Sequence, residues 1–337
     1  YQQMAKLNIG FIGCGGIARQ HINALAGIGS AKLAAFCDVN LERAEEIAEQ
    51  FDAPAFQTPA EMVEQVKLDA IWICLPPFAH GEAERVCCEN KIPFFIEKPI
   101  NRSLQQARRI AQMVEKAGIL TSVGYMNRYR KGINKARDIF QEDTPVLTMG
   151  GWIGGTPRPD PARPITLWWI QKDKSGGQFI EQVTHTADLV RYICGEPMQV
   201  AAFKAEGFNR DIPGYTIEDA IAVSVKMQNG GVALLHSCCA SNARGGVTLS
   251  IYALRHAVEF RGWEHSAVIY SAGRKRPTEI PGEPNAFEIE DRAFIRAIQR
   301  EDPSYIKCDY NDGLKTLEFT IAVDRALNTG RIIKVGM

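Results

Sequence analysis

A glycine-rich segment near the N-terminus, Gly13-Cys14-Gly15-Gly16-Ile17-Ala18, constrains the fold of this chain more than any other feature. It follows an apolar run with the pattern of a buried strand, and it opens a helical pattern. Gly13 permits a tight turn, Gly15 lets a phosphate approach the backbone, and Ala18 is small enough for close helix–strand packing. Since the N–H groups at the start of a helix attract phosphate, this spacing at this place predicts a dinucleotide-binding turn.

The rest of the first third of the chain alternates between short apolar runs and helical stripes. The apolar runs, which suit strands buried on both faces, occupy residues 7–12, 33–38, 70–75 and 93–97. Among the helical stretches, 41–51 has an apolar stripe, and 103–117 lies between an N-cap serine and Gly118. We predict a Rossmann domain with a doubly wound parallel sheet over residues 1–122, the α/β part of an α/β plus α+β chain.

The pattern changes in residues 123–337, where predicted strands follow one another without intervening helices. These alternating runs occupy residues 146–153, 220–227, 232–239, 248–253, 257–261 and 267–270. Asn229-Gly230, between two of the runs, is a strong hairpin signal. Helical patterns occupy residues 130–141, 177–194, 287–300 and 312–329. We predict an α+β domain with a large, mostly antiparallel open sheet.

Charge and cysteine content exclude several classes of protein. The 39 basic and 39 acidic residues balance and form no basic stripe for nucleic acid. No apolar run is long enough to cross a bilayer, and the short polar leader does not resemble a signal peptide. The nine cysteines form no CxxC pair, which favours buried thiols in a reducing compartment over disulfides or zinc. We expect a cytoplasmic protein with no nucleic-acid partner, no membrane partner and no metal.

Asp38 indicates which dinucleotide binds. It ends the second predicted strand about 20 residues after the glycine turn, where a carboxylate binds the adenosine ribose hydroxyls and repels a 2′-phosphate. An acidic N-cap for the following helix is a compatible interpretation. Asp38 thus favours NAD, whereas Arg43, one turn into that helix, could lie near the adenosine end and keeps NADP as an alternative.

Three further segments place polar side chains where ligands bind. Leu75-Pro76-Pro77-Phe78-Ala79-His80 follows the third predicted strand at the carboxyl edge of the sheet, or is only a rigid turn with His80 capping the next helix. Glu97-Lys98-Pro99 ends the next strand at the same edge, where the proline stiffens a lysine that would otherwise be solvated. Gly124-Tyr125-Met126-Asn127-Arg128-Tyr129 crosses between the domains, as part of the cleft or as a linker.

The predicted helix 177–194 carries a polar trio. At ~100° per residue, Glu181, His185 and Asp188 project within roughly 60° of one another on one helix face. Burying such a trio is costly unless its members are hydrogen-bonded or used. A satisfied polar network and a functional site explain the trio equally well, and a metal site is weaker because one helix lacks a second ligand set.

Taken in this order, the segments resemble the glucose–fructose oxidoreductase / inositol dehydrogenase / MocA family of NAD(P)-dependent oxidoreductases. The resemblance covers nearly the whole chain. It rests on the glycine turn, Pro76-Pro77…His80, Glu97-Lys98-Pro99, Gly176-Gly177…His185…Asp188, and the C-terminal Phe294-Ile295 and Tyr310-Asn311-Asp312-Gly313-Leu314. The Glu-Lys-Pro tripeptide combined with the Gly-Gly…His-x-x-Asp segment is quite specific.

The resemblance implies a catalytic pair. Lys98 would lie beside the nicotinamide and the reacting hydroxyl, with a cis peptide to Pro99, and His185 would be the general acid/base for that hydroxyl. Family members that oxidise sugars or inositols commonly have Asp where this chain has Glu181. The longer carboxylate could still orient Lys98 or a substrate hydroxyl, or it marks a branch with different substrates or a different reaction.

The expected site residues follow from the motifs and the resemblance together. The cofactor-binding residues are predicted to be Gly13, Cys14, Gly15, Gly16, Ile17, Asp38, Arg43, Leu75, Pro76, His80, Glu97 and Lys98. The substrate-binding residues are predicted to be Lys98, Asn127, Trp168, Glu181 and His185, of which Lys98, His185 and Glu181 are also predicted to be catalytic. The Pro-rich loop 156–164 offers a stacking and hydrogen-bonding surface for a sugar ring, or it is packed by its own tryptophans. The residues concerned are Arg158, Arg163, Trp152, Trp168 and Trp169.

Three functions are compatible with these residues. The leading hypothesis is an NAD-dependent dehydrogenase that transfers hydride between a ring hydroxyl of a sugar, cyclitol or related polyol and the nicotinamide. A redox-neutral glycoside hydrolase or lyase with tightly bound NAD would use the same lysine and histidine. A non-catalytic dinucleotide-binding regulator is disfavoured because Lys98 and His185 are both present. The resemblance also implies a homodimer or homotetramer packed through the C-terminal sheet, which needs a cover.

Overall fold

The computed structural model describes residues 6–156 and 158–336. They form two compact units. The first contains the described residues up to Met126 together with Asn285–Leu314, and the second contains Asn127–Pro284 and the described residues from Lys315 onward. Residues Asn285–Leu314 therefore belong to the first unit, whereas the sequence-based division places all of residues 123–337 in the second domain.

The helices and strands are numbered in chain order. The strands are β1 (Leu7–Ile12), β2 (Ala31–Cys37), β3 (Ala55–Phe56), β4 (Ala70–Ile73), β5 (Phe94–Ile96), β6 (Thr121–Val123), β7 (Leu147–Ile153), β8 (Pro197–Ala205), β9 (Ala220–Met227), β10 (Val232–Cys238), β11 (Gly246–Tyr252), β12 (His256–Arg261), β13 (Ser266–Ser271), β14 (Thr278–Ile280) and β15 (Ile333–Lys334). The helices are α1 (Gly16–Ala26), α2 (Leu41–Ala48), α3 (Pro59–Gln65), α4 (Glu82–Glu89), α5 (Leu104–Ala117), α6 (Lys131–Glu142), α7 (Ile165–Trp169), α8 (Lys172–Ser175), α9 (Gln178–Glu181), α10 (Thr184–Cys194), α11 (Ala286–Arg300) and α12 (Tyr310–Thr329).

The first unit is built on a six-stranded parallel sheet in the order β3-β2-β1-β4-β5-β6. This order confirms the predicted doubly wound Rossmann sheet, whose ligands bind where the strand order reverses, at the carboxyl ends of β1 and β4. Trp72 of β4 stacks on Phe95 of β5 with ring centroids 5.8 Å apart. Phe294 of α11 packs edge-on against Trp72 at 5.4 Å, so the late-returning helix completes this core.

The second unit is built on a nine-stranded sheet in the order β14-β13-β12-β11-β7-β10-β9-β8-β15. Its strand pairs are antiparallel except β7 with β10, which confirms the predicted mostly antiparallel sheet. The expected hairpin joins β9 to β10, and Gly230 adopts a φ of +93° there. That left-handed conformation is costly for a residue with a side chain, which explains the Asn-Gly pair.

The two faces of the nine-stranded sheet differ. One face packs against α6, α10 and α12, with Phe140, Val190 and Phe319 among its buried residues. Alternate residues of the strands point the other way and include the exposed Leu234 and Phe203. A sheet with helices on one face leaves its other face to solvent or to another chain.

All nine cysteines are free, and only Cys238 is not fully buried. Burial, with help from the Asp38 charge, raises the pKa of the Cys14 thiol to about 12. Such thiols stay protonated near neutral pH and pack as small apolar groups. No helix within the described ranges is long and apolar enough to span a membrane.

Candidate active site

The glycine turn of the first unit has the geometry of a phosphate cradle. Gly13 adopts a φ of +88°, and a Cβ there would lie 2.4 Å from the carbonyl oxygen of Cys74, so only glycine fits. A Cβ on Gly15 or Gly16 would meet no described atom within 4 Å. Internal packing therefore does not explain these two glycines, whereas close approach of a ligand does. Helix α1 begins here with no side-chain cap and no acidic residue in its first turn, so the site fits a pyrophosphate.

Asp38 is fixed beside this turn. Its Oδ2 accepts a hydrogen bond of 2.9 Å from the Cys14 amide, and its Oδ1 accepts one of 2.9 Å from the Asn40 amide. Arg43 Nη1 lies 3.3 Å from both carboxylate oxygens. The proposed N-cap role of Asp38 is wrong, because Asn40 caps α2 through its side chain. Asp38 and Arg43 therefore form an ion pair next to the turn.

The segment after β4 also reaches the turn. The Leu75 side chain would lie 3.0 Å from a Cβ on Gly13. His80 is buried, and its Nδ1 lies 2.9 Å from Glu84 Oε1. His80 does not cap α4, since Gly81 occupies that position and donates its amide to Glu84 Oε2 at 2.7 Å. His80 Nε2 has no hydrogen-bond partner in the described part of the chain, so it is available to a ligand.

The Glu97-Lys98-Pro99 segment follows β5 on the same sheet edge. The Lys98–Pro99 peptide is cis, which confirms the expectation from the resemblance. The Lys98 amide donates a 3.0 Å hydrogen bond to Glu97 Oε2, and Glu97 is buried, with 3% of its surface exposed. Lys98 itself is half-buried. A carboxylate thus holds the backbone that carries the lysine.

In the second unit, His185 lies buried in the first turn of α10. Its ring packs edge-on against Trp263 with centroids 5.6 Å apart, and Trp263 packs against Trp152 at 5.4 Å. Trp263 lies in the turn between β12 and β13, and sequence reasoning missed it because no local pattern connects it to α10. The histidine is therefore flanked by aromatic surface.

Glu181 and His185 do not share a helix, so the predicted continuous helix 177–194 is wrong. Helix α9 ends at Glu181, and α10 begins at Thr184. The Val183 amide bonds back to the Gln178 carbonyl over five residues, which breaks the regular ladder. Glu181 is instead held by Trp169, whose indole Nε1 donates a 2.6 Å hydrogen bond to Glu181 Oε2.

Asp188 has a structural partner. Arg128 donates two hydrogen bonds to its carboxylate, from Nε at 2.8 Å and from Nη2 at 2.7 Å. Thr316 of α12 donates a third, of 2.9 Å, to Oδ1. The arginine and the aspartate are 2% and 1% exposed. Of the two interpretations left open for the trio, the satisfied polar network therefore describes Asp188.

Two further predicted substrate-binding residues are placed as follows. Asn127 is buried and accepts a 2.7 Å hydrogen bond from Arg130 Nε through Oδ1, while its Nδ2 finds no acceptor among the residues described. Trp168 is partly buried against a small apolar cluster. Trp169 lies inside that cluster at 5% exposure, so its ring is core and not a stacking surface. In the Pro-rich loop, Arg158 is exposed, and Pro157 lies outside the described residues.

Comparison with known proteins agrees with this architecture. Two family models match the chain, "Oxidoreductase family, NAD-binding Rossmann fold" over residues 7–125 and "GFO/IDH/MocA C-terminal domain" over residues 152–259. Inositol 2-dehydrogenase of Rhizobium meliloti is 25% identical over 353 residues, covering 98% of this chain and 99% of that one. Myo-inositol 2-dehydrogenase of Thermotoga maritima is 30% identical over 194 residues, covering 57% of this chain and 56% of that enzyme. The structure of levoglucosan dehydrogenase with NADH and levoglucosan has the same fold, with a TM-score of 0.87 at 19% identity and coverage of 98% and 100%.

A parallel sheet in Rossmann order, a glycine turn shaped for pyrophosphate and a fixed acidic residue beside it define a dinucleotide-binding domain. The matching family model identifies the chain as an NAD-binding oxidoreductase. The chain belongs to the GFO/IDH/MocA family of oxidoreductases, as the motifs indicated. When bound, NAD would be held by the turn at 13–17 and by Asp38.

Proposed function

We propose that the protein is an NAD-dependent dehydrogenase that oxidises a ring hydroxyl of a sugar, cyclitol or related polyol. The observation that carries this proposal is the buried His185 at the start of α10, flanked by Trp263, in a chain whose other unit binds NAD. A buried imidazole beside aromatic surface is suited to a substrate with polar hydroxyls and apolar C–H faces. The inositol and levoglucosan dehydrogenases similar to this chain support the substrate class.

The chemistry assigns one task to each side chain. When bound, NAD would supply the hydride acceptor, C4 of the nicotinamide. His185 takes the hydroxyl proton while the C–H bond breaks and the C=O bond forms, and the hydride leaves that carbon with the electron pair of the C–H bond. The Lys98 ammonium stabilises the alkoxide that develops during this step. Glu181 would accept a hydrogen bond from a second substrate hydroxyl, since Trp169 holds its carboxylate in place.

The substrate-binding roles of Asn127 and Trp168 are part of the proposal. The buried Nδ2 of Asn127, unpaired within the described residues, offers a donor to a hydroxyl oxygen. Trp168 is a partly exposed residue and would contact an apolar face of the sugar. A fixed acceptor at Glu181 and a fixed donor at Asn127 are the groups that a polyhydroxylated ring requires.

The test is a screen of polyols against the protein saturated with NAD. Inositol isomers, hexoses and anhydrosugars should include a compound that raises the melting temperature and also drives NADH formation at 340 nm. A compound that is cleaved with no net NADH would point to the redox-neutral hydrolase instead. NAD binding without turnover of any compound, together with an unaltered phenotype of a His185→Ala strain, would point to a regulator.

Asp38 should control the choice of cofactor. Replacing Asp38 by serine removes the charge that would repel a 2′-phosphate and frees Arg43, which now lies 3.3 Å from that carboxylate. The ratio of kcat/KM for NAD to that for NADP should fall by roughly tenfold or more, the value of about one charged hydrogen bond. Steady-state kinetics with both cofactors measure it. The matched control Glu42→Ser, which removes a neighbouring carboxylate on the helix that carries Arg43, should keep the wild-type ratio. An unchanged ratio in the Asp38 variant would contradict the role assigned to Asp38.

We also propose that the protein forms a homodimer or homotetramer through the exposed face of the nine-stranded sheet. Leu234 and Met149, from neighbouring strands on that face, are 47% and 39% exposed, and Phe203 is 81% exposed. Clustered exposed apolar side chains on a sheet face are typical of subunit interfaces. Leu234→Arg should therefore give a monomer in light scattering. The control Leu254→Arg, at an exposed turn outside the strands, should not change the mass.

The nine free cysteines favour a reducing compartment, and on that ground we propose the cytoplasm.

A further inference from the structure

A buried histidine in the first unit connects two carboxylates. His21 of α1 is 0% exposed, and its Nδ1 lies 2.9 Å and 3.1 Å from the two carboxylate oxygens of Asp291 in α11. Its Nε2 lies 3.0 Å from Oε1 of Glu97. Trp72 Nε1 donates a further 2.9 Å hydrogen bond to Asp291. Three parts of the unit, α1, α11 and the segment after β5, thus meet on one imidazole ring.

The contacts define the protonation state of the ring. A neutral imidazole has one donor and one acceptor nitrogen, whereas both His21 nitrogens face carboxylate oxygens, which only accept. Burial alone lowers the pKa of His21, but the charges and hydrogen bonds of Asp291 and Glu97 outweigh it and hold the pKa well above its ordinary 6.5. Glu290 and the neutral thiol of Cys74 are the other titratable groups nearby. The contacts and the direction of the pKa shift together favour the imidazolium form of His21.

A metal ion is the competing explanation for this cluster. His21, Glu97 and Glu290 offer ligand atoms within 4.8 Å of one another, which is close enough for coordination. A histidine ligand must give a nitrogen lone pair to the metal. Both nitrogens of His21 already lie at hydrogen-bond distance from carboxylates, so the ring supplies the positive charge that a metal would otherwise provide.

The Glu97 carboxylate connects His21 to the backbone of Lys98. While Oε1 of Glu97 faces His21, Oε2 accepts the Lys98 amide at 3.0 Å. Gly124 closes the space around this carboxylate, since a Cβ there would lie 3.0 Å from Oε1. The series of contacts from Asp291 through His21 to Glu97 thus ends on the backbone of Lys98, the lysine that we propose stabilises the alkoxide.

We propose that His21 and Asp291 are positioning residues for Lys98: the buried imidazolium, held by Asp291, fixes the Glu97 carboxylate, which in turn fixes the Lys98 backbone. The proposal rests on the dehydrogenase function proposed above. It explains why a polar histidine occupies the apolar side of α1, and why the chain returns to its first unit at α11 with an aspartate.

The first test does not depend on turnover. Nitrogen-15 NMR of the histidine side chains in the NAD-bound protein should show His21 as an imidazolium at pH 7.5, where an ordinary histidine is mostly neutral. His21→Gln identifies its signal. His265 is a built-in reference, because it is equally buried but faces the Trp263 carbonyl at 2.9 Å, and burial lowers its pKa to about 4. A neutral His21 at pH 7.5 would overturn the proposal.

The second test is kinetic. His21→Gln should lower kcat roughly 10- to 100-fold, as misplacement of a reacting group by about 1 Å does, with KM for NAD changed less than about threefold. Asp291→Asn, which keeps the shape of the side chain and one acceptor oxygen, should also lower kcat, but by a smaller factor. His256→Gln is the matched control, since it removes a partly buried histidine–aspartate contact of 2.9 Å with Asp143 and should leave kcat unchanged. A His21→Gln enzyme with kcat within twofold of wild type would overturn the proposal; if that variant does not fold, Asp291→Asn and the NMR titration decide.

The two proposals fail in different ways. If no polyol is oxidised by the wild type, the dehydrogenase proposal fails, and the Lys98 amide resonance still reports on the positioning. That amide proton should be shifted downfield by its hydrogen bond to Glu97 in the wild type, and it should move further than its neighbours in Asp291→Asn. An unmoved resonance would reject the positioning role whatever the activity.

Discussion

Replacing His185 by asparagine should lower kcat for polyol oxidation by roughly 10²- to 10⁴-fold, the usual contribution of a general base. Asparagine keeps a polar group of similar size next to Trp263, but it cannot take the hydroxyl proton. NAD affinity should stay within about twofold, because the glycine turn and Asp38 belong to the first unit. Stopped-flow measurement of NADH formation in a single turnover isolates the chemical step from product release.

The pH dependence provides an internal control for this variant. Wild-type kcat should depend on pH through the protonation of the general base, and the His185→Asn enzyme should lack that dependence. His256→Asn, which alters the partly buried contact with Asp143, should retain the wild-type profile. Activity above about a tenth of wild type in His185→Asn would contradict the role of His185 as base.

Replacing Asp188 by alanine should lower the free energy of unfolding by about 3–5 kcal/mol, the cost of breaking a buried ion pair from one side. The carboxylate accepts two hydrogen bonds from Arg128 and one from Thr316, and both charged partners are at most 2% exposed. Chemical denaturation measures the loss, and hydrogen exchange of amides in α10 and α12 assigns it to the second unit.

Two comparisons separate this buried pair from an ordinary one. Asp188→Asn keeps an acceptor for Arg128 and Thr316 and should cost less than the alanine variant. Glu82→Ala removes an equally short contact, 2.6 Å to Arg85 on the surface of α4, and should leave stability nearly unchanged. Equal small effects from Asp188→Ala and Glu82→Ala would show that the buried pair does not anchor α10.

Much of the fold follows from local patterns. The short apolar runs predict β1 to its end residues and β4 and β5 to within two residues. Ser103 and Gly118 bound α5 because a side-chain cap and a left-handed residue are local requirements. The two-residue β3 and the pairing of β7 with β10 carry no such signal, since the first is very short and the second depends on strands far apart in sequence.

The candidate site divides in the same way. The glycine turn and Asp38 are linked by a short spacing, so sequence alone identifies them. The break between α9 and α10 is invisible in the sequence, because no glycine or proline marks Gln182-Val183 and the helical pattern continues across it. His21 and Asp291 are 270 residues apart, so only the folded chain brings them together.

The proposed reaction transfers hydride from a ring carbon of a polyol to NAD. The most direct measurement uses a polyol from the screen, deuterated at the carbon that becomes a carbonyl, and follows both products by NMR and absorbance. We expect one NADH per oxidised product, with the deuterium at C4 of the nicotinamide and a transfer rate in His185→Asn lower by roughly 10²- to 10⁴-fold. Product formed without net NADH, or NADH without deuterium, would contradict it.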